Sequence, residues 1–481
     1  MSIAIFNNNP ELKRNVLLEL TRQRLILMPL IMGLIYLISF NFGSSGSFAT
    51  KANALSQLMF AIIIFGWGTW QATTSFIDEI NDRTWDQQRM TSLHPITMMV
   101  GKLFGSTIYI WYGAVMALFI YFITSLSLDE SVLKIKTGIT AILLGILGHA
   151  VAIIVSLLVI RKNRDKSKIN TRPISILCVL FALSFISYVF PFHIFGSLFI
   201  ADPQASWYAF ELPKSTLTLI FVIFYLSWAL LGLYYLVRGE LQFANKPTLF
   251  IIFLVCNAII VTGLIPNTGI NNSSNWTHLN EIEIKTIPTS LYIYTFLIYC
   301  FISAIISSYF IVIMDIKDFI GFKKLMFLAK QKTYKLLYNE IPVYILSLVF
   351  AAIVAIIFTI YALLANPDKE AWGYNYYNIS KTGIPFVFAV LLFAVRDICI
   401  FLWVNFTMKA RRADTLALTY LVILYVLIPI LASQLADKSL LNLFVAMPGN
   451  GPLLTMIPPA IQAVVMVYIL RQRFKSAELL S

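Results

Sequence analysis

The sequence predicts an all-α, polytopic integral membrane protein with about twelve transmembrane helices, and three observations predict it. Of 481 residues, 59% are hydrophobic and 12% charged, against about 25% charged in a soluble domain. Mean hydropathy is +0.80. The apolar residues fall into repeated runs of roughly 17–25, the length that carries a helix across about 30 Å of hydrocarbon. The short alternating segments of an outer-membrane barrel do not occur. The same composition excludes a soluble globular domain, a disordered chain and a disulfide scaffold.

In chain order the runs cover roughly 25–42, 54–77, 103–126, 137–160, 174–200, 215–237, 248–265, 288–314, 342–365, 384–406, 415–435 and 452–470. Twelve crossings place both termini on one side, and Lys and Arg choose it. Segments 1–24, 78–102, 161–173, 238–247, 315–341, 396–414 and 471–481 carry 28 of the 36 Lys/Arg; the opposite segments carry 8. By the positive-inside rule the richer set is cytoplasmic, with both termini. The expected location is a bacterial-type cytoplasmic (inner) membrane. About 24 mostly polar residues precede the first run, a pattern that does not read as a cleavable signal peptide. The stretch 267–280 then faces outward. Its Asn275-Trp276-Thr277 is a glycosylation sequon only in a eukaryotic secretory membrane.

Residues 1–240 and 241–481 each hold six runs, with the long cytoplasmic loop after the second run: 78–102 and 315–341. That topology describes a parallel repeat of two six-helix halves. Loops of roughly 20–27 residues are too short to bury a core of their own, so any nucleotide-hydrolysing domain belongs to another chain. Cys178, Cys256, Cys300 and Cys399 each lie in an apolar run and read as small buried hydrophobes.

The most informative stretch is 76–105, FIDEINDRTWDQQRMTSLHPITMMVGKLFG. It reads as a short amphipathic helix at the cytoplasmic face. Asp78, Glu79 and Asp82 stand at the exit of the second run; Trp85, Met90, Leu93 and Pro95 supply apolar contacts. Gly101 and Gly105, four apart, allow a neighbouring helix to approach closely. The bland alternative is an interfacial connector with Trp85 at headgroup level.

This stretch resembles the coupling region of bacterial ABC exporter permeases of the type-2 class. The residues that carry the resemblance are Asp82, Arg83, Thr84, Trp85 and Asp86, then Arg89, Pro95, Gly101, Lys102 and Leu103. The glycine usual before the threonine is replaced, since Arg83 directly precedes Thr84. The resemblance implies a coupling helix that docks on a separate ATPase subunit, with ATP bound there and no cofactor on this chain. Asp82, Arg83, Asp86 and Arg89 would make polar contacts with it, and Trp85 would be an aromatic anchor. It also implies two permease units, as a fused pair or as half of a homo- or heterodimer. Val100-Gly101-Lys102-Leu103 is not a phosphate loop, because Ile96 stands where the first glycine belongs and Leu103 where the hydroxyl belongs. The second loop lacks the motif. Its lysines, with Phe319, Phe322, Leu325, Met326 and Leu328 at near-helical spacing, fit a degenerate coupling helix or, slightly better, a basic amphipathic helix on anionic lipid.

Arg396 and Asp397 interrupt the run 384–406. A charge at bilayer depth costs at least ~2.5–3.5 kcal/mol and calls for a partner. Neighbours about 100° apart on a helix need not pair with each other. One reading is a polar translocation path. The favoured one ends the span near 395 and puts both at the interface, leading to Lys409, Arg411 and Arg412. His149, between Gly148 and Ala150, reads as a proton relay on the path or, more simply, as a packed interhelical hydrogen-bonder. His94, His193 and His278 have no metal-ligand spacing. The basic loop 161–168 is a topology determinant touching lipid headgroups, too short for nucleic acid. Trp372, Tyr374, Tyr376 and Tyr377 form an aromatic belt or a platform for a sugar or headgroup. Two rival functions remain: an ion-coupled secondary carrier resting on Arg396, Asp397 and His149, and a lipid-linked transferase using the Asp78, Glu79, Asp82 and Asp86 carboxylates.

Overall fold

The computed structural model describes residues 9–42, 47–90, 93–128, 131–163, 169–184, 204–208, 210–243, 245–264, 289–315, 317, 319–364, 383–407, 413–435, 444–445 and 452–479. The sequon at 275–277, the aromatic residues 372–377, the basic residues 164–168 and 409–412, and the second half of the run 174–200 lie outside them. The fold is all-α and polytopic, apart from a two-stranded hairpin, β1 (Gln204–Trp207) and β2 (Phe210–Pro213).

The chain divides into two compact units, one of residues 1–205 and 211–245, the other of 206–210 and 246–481. The first holds α1 (Pro10–Glu19), α2 (Arg22–Phe42), α3 (Phe48–Asn81), α4 (Trp85–Arg89), α5 (Pro95–Val100), α6 (Ile108–Leu126), α7 (Ser131–Lys162), α8 (Arg172–Ser184) and α9 (Lys214–Glu240). The second holds α10 (Thr248–Thr262), α11 (Thr289–Met314), α12 (Phe319–Lys330), α13 (Tyr334–Glu340), α14 (Val343–Leu364), α15 (Ile384–Thr407), α16 (Ala413–Leu431) and α17 (Pro452–Leu479).

Helix starts follow capping chemistry. Asn9 caps α1, its side chain accepting from Leu12 N–H at 3.0 Å, with Pro10 at the first helical position. His94 and Pro95 do the same for α5. In both places the proline occupies a position whose N–H would have no helical partner.

Each of the twelve apolar runs contains helix among the described residues, and these residues by themselves supply eight or nine spans by length and composition. Among the described residues, α3, α6, α7, α9, α11, α14, α15 and α16 are long and apolar enough to cross a membrane; α1 and α2, bent by 64°, make a ninth if they form one broken span. The described part of α8 and all of α10 are shorter, and α17 carries Pro458 and Pro459 inside its length.

Helix α14 shows how the chain sorts its faces. Ser347, Ala351, Val354, Ala355, Phe358 and Ala362 are buried, while Val349, Ile353, Ile356, Ile360 and Leu363 are exposed. Both faces are apolar, so size and shape rather than polarity decide the side: small residues let helices approach, and large aliphatics meet lipid tails. Ser347 adds an interhelical hydrogen bond, donating to the Ala304 carbonyl at 2.7 Å. An exposed aliphatic surface of this extent belongs in hydrocarbon, not water.

Candidate functional site

The first long loop leaves α3 through a tight corner. Asp82 N–H donates to the Asp78 carbonyl, Arg83 N–H to Ile80 and Thr84 N–H to Glu79, at 2.9, 3.1 and 2.9 Å. The last two bonds are a Schellman cap. Arg83 sits at its left-handed position, φ 60°, where glycine is the usual residue. Thr84 Oγ1 also donates to the Glu79 carbonyl at 3.1 Å. The helix end is therefore closed twice over before α4 begins.

Helix α4 has a buried side and an exposed side. Trp85 is 5% exposed and stands edge-on to Phe76, ring centroids 5.2 Å apart, in a core with Ile77, Leu103 and Ile153. The expectation of Trp85 as an anchor for a partner is corrected in this respect: its surface is covered by its own unit. Asp82, Arg83 and Asp86 are exposed, and Arg89 is half-buried, 4.0 Å from Asp86. Met90, expected to make an apolar contact, is 90% exposed.

Under this surface lies an ion cluster that sequence reasoning missed. Lys102, 2% exposed, reaches Glu11 at 3.0 Å and also pairs with Glu79. Arg14 pairs with both carboxylates, at 2.9 Å to Glu11. Gln88 Nε2 donates to Glu79 at 2.8 Å, so α4 is tied to the cluster as well as to Phe76. Asn15 donates to Glu11 and to the Gly101 carbonyl. The close approach expected at Gly101 and Gly105 is made by α1: a Cβ at those positions would lie 2.6 Å from Glu11 Cγ and 2.9 Å from Asn15 Cβ. One signal was available, since Lys102 opens an apolar run and a buried lysine demands acidic partners. Glu79 was in view; Glu11, in the polar N-terminal stretch, was not.

The carboxylates Asp78, Glu79, Asp82 and Asp86 do not converge. Glu79 is held by Lys102 and Arg14, while the three aspartates are exposed. Among the described residues no group of three or more His, Cys, Asp or Glu side chains could hold a metal ion.

Arg396 and Asp397 lie inside a helix that does not end near 395. Helix α15 runs unbroken from Ile384 to Thr407, and both side chains are buried, at 2% and 0% exposure. They pair with each other, Arg396 Nε donating to Asp397 Oδ1 at 2.8 Å. Tyr309 and Tyr425 donate to Asp397 Oδ2 at 2.6 and 2.7 Å, and Arg396 donates to Gln462. The guanidinium also lies over the rings of Phe393 and Tyr425, at 4.6 and 5.0 Å. Four helices, α11, α15, α16 and α17, thus share one polar knot.

His149 is 1% exposed, with Nε2 3.1 Å from the Ile64 carbonyl in the π-helical segment Ile62–Gly68 of α3. A carbonyl only accepts, so the ring donates through Nε2. Nδ1 has no hydrogen-bond partner among the described residues. A Cβ on Gly68 would lie 2.4 Å from Nε2. The geometry is that of a packed interhelical bond, and no onward acceptor continues a proton path among the described residues.

The second long loop repeats the corner. Lys332, φ 56°, takes the left-handed position. Lys332 N–H donates to the Ala329 carbonyl and Thr333 N–H to Leu328, at 3.2 and 3.3 Å. Thr333 Oγ1 donates to the Leu328 carbonyl at 3.3 Å, as Thr84 does to Glu79. Arg83-Thr84-Trp85 and Lys332-Thr333-Tyr334 are the same basic–threonine–aromatic sequence at the same backbone bend. Each leads through a short helix to a proline near the next span, Pro95 or Pro342. The match falls on three residues and a backbone conformation, too little for side-by-side reading of the halves to reveal. Comparison with protein-family models, curated proteins and solved structures yields no match to this chain.

Proposed function

We propose that the chain is the membrane-spanning permease of an ATP-driven ABC export system and that the loop 78–102 couples it to a separate ATPase subunit. One observation carries the reading. The corner presents Asp82, Arg83, Asp86 and Met90 outward, while Trp85 and Gln88 on the other side of α4 are fixed to Phe76 and Glu79 of α3. A force applied to the exposed side is passed directly to a spanning helix and, through Lys102, to α1. A flexible connector would transmit nothing. ATP binds the partner, and this chain is not itself the enzyme. The Lys/Arg distribution supports a cytoplasmic corner and cytoplasmic termini, and the membrane that goes with this reading is a bacterial-type inner membrane. The repeated corner at Lys332 supports two permease units in one chain; a homo- or heterodimer of chains is the other arrangement.

The test is purification from the native membrane in mild detergent, assayed for bound, vanadate-sensitive ATP hydrolysis. Co-purifying activity that falls at least tenfold in Asp86→Lys and Arg83→Glu supports the reading. Wild-type material without any ATPase counts against it.

A second reading, an ion-coupled carrier, rests on the buried Arg396–Asp397–Tyr309–Tyr425 knot, because intramembrane ionisable groups commonly mark ion pathways. Transport driven by a proton gradient without ATP would favour it. The internal pairing of Arg396 with Asp397, and of Asp397 with both tyrosines, favours a structural role instead.

A further inference from the structure

The second loop carries a surface that the docking reading leaves unused. Helix α12 holds to its unit along one edge. Leu328 is buried, Phe319 lies 5.8 Å from Phe406 and 4.7 Å from Phe474, and Phe322 lies 5.3 Å from Phe406. The other stripe, at helical spacing, is exposed: Ile320 at 73% and Phe327 at 57%, with Met326 beside them. Beyond the corner it continues into α13 with Tyr334 at 69% and Leu336 at 55%. Lys323, Lys324, Lys330, Lys332 and Lys335 surround these side chains and are all exposed. The one carboxylate of 319–340 is Glu340, paired with Lys324 at 2.7 Å.

We propose that this face lies flat on the membrane and binds anionic phospholipid headgroups, with Ile320, Phe327, Tyr334 and Leu336 entering the acyl boundary and the lysines meeting the phosphates. Three features of this face select lipid as its partner. First, the loop is tethered at both ends to spanning helices, α11 ending at Met314 and α14 starting at Val343, so it stays near the bilayer surface. Second, the charge is of one sign and complements an anionic leaflet. Third, apolar and basic side chains alternate on one face, the pattern of a helix lying in the interface, where lysine stems cover apolar surface and keep the ammonium in the headgroup layer. The first corner differs on each count of composition: its exposed residues carry both signs, and Met90 alone is large and apolar there. The proposal is independent of any ATPase.

The test uses the full chain with Cys178, Cys256, Cys300 and Cys399 replaced by alanine, and Phe327→Cys carrying an environment-sensitive nitrobenzoxadiazole label. The chain is placed in nanodiscs of phosphatidylcholine alone or with phosphatidylglycerol added. Phosphatidylglycerol is expected to shift emission to the blue and to lower quenching by aqueous iodide severalfold, with the protection lost as salt screens the charges. Changing Lys323, Lys330, Lys332 and Lys335 together to glutamine is expected to abolish the lipid dependence. Equal iodide quenching in both lipids overturns the proposal, as does protection that appears only when a soluble protein is added. If the cysteine-free chain does not fold, native mass spectrometry of the unlabelled chain decides: wild type is expected to retain phosphatidylglycerol that the four-lysine variant loses, and equal retention overturns the proposal.

Discussion

The ammonium of Lys102 stands 3.0 Å from the Glu11 carboxylate in a site where both side chains are nearly inaccessible. This contact pins the N-terminal helix α1 to the start of a spanning segment. Lys102→Met leaves Glu11 and Glu79 facing each other with Arg14 alone to balance them. Removing one partner of a buried pair costs about 3–5 kcal/mol. A marked drop in thermal unfolding temperature in detergent is expected, and adding Glu11→Gln should recover part of it. An unchanged melting curve for Lys102→Met would show that the cluster contributes little.

Arg83 holds a left-handed backbone conformation without being glycine. That conformation costs an L-residue roughly 1–2 kcal/mol. Arg83→Gly is expected to raise stability slightly, and Arg83→Val to lower it, while both remove the exposed guanidinium. If the guanidinium contacts an ATPase, Arg83→Gly yields a more stable protein that binds its partner less well. Parallel measurement of melting and co-purification separates these two effects. Stability and binding that fall together in Arg83→Gly would mean the side chain braces the corner itself.

Much of this loop was legible in the sequence, for physical reasons that differ by residue. The acidic exit at Asp78–Asp82 and the glycine pair at Gly101 and Gly105 announce themselves, because a membrane boundary and a close helix approach constrain residue type locally. The inward turn of Trp85 was not legible. An aromatic at a membrane boundary suits the headgroup layer, a partner or a core equally well, and only the position of Phe76 decides. Tyr309 and Tyr425 could not be matched to Asp397 among 23 tyrosines, since their pairing depends on how α11, α15 and α16 assemble. The π-helical stretch at Ile62–Gly68 has no period of its own to detect; its trace in the sequence is Gly68 itself.

Gly68 and His149 form a size-matched pair. Gly68→Ala brings a methyl to 2.4 Å from the imidazole, and overpacking of this kind costs typically ~1–3 kcal/mol. His149→Ala should relieve the clash, so the double variant is expected to melt above the sum of the two single losses. Strict additivity in that cycle would contradict the contact.

Asp397→Asn removes the countercharge of a buried guanidinium, again at about 3–5 kcal/mol. Replacing Arg396 and Asp397 together with leucine is expected to be much milder, because no lone charge is left. If the pair serves only to hold the helices, the double variant keeps transport. Loss of transport in a double variant that folds normally would transfer the carrier role to this knot.

Coupling at the 78–102 corner is tested most directly by site-specific photo-crosslinking in native membranes, with a benzophenone amino acid placed at Gln87, exposed on α4 beside Asp86, or, as a control, at Leu363 on the exposed face of α14. An adduct between Gln87 and an ATP-binding protein is expected, absent at Leu363 and lost when Asp86→Lys is introduced. A Gln87 probe that captures no ATP-binding protein, or captures it no more than Leu363 does, would mean that this corner does not couple to an ATPase.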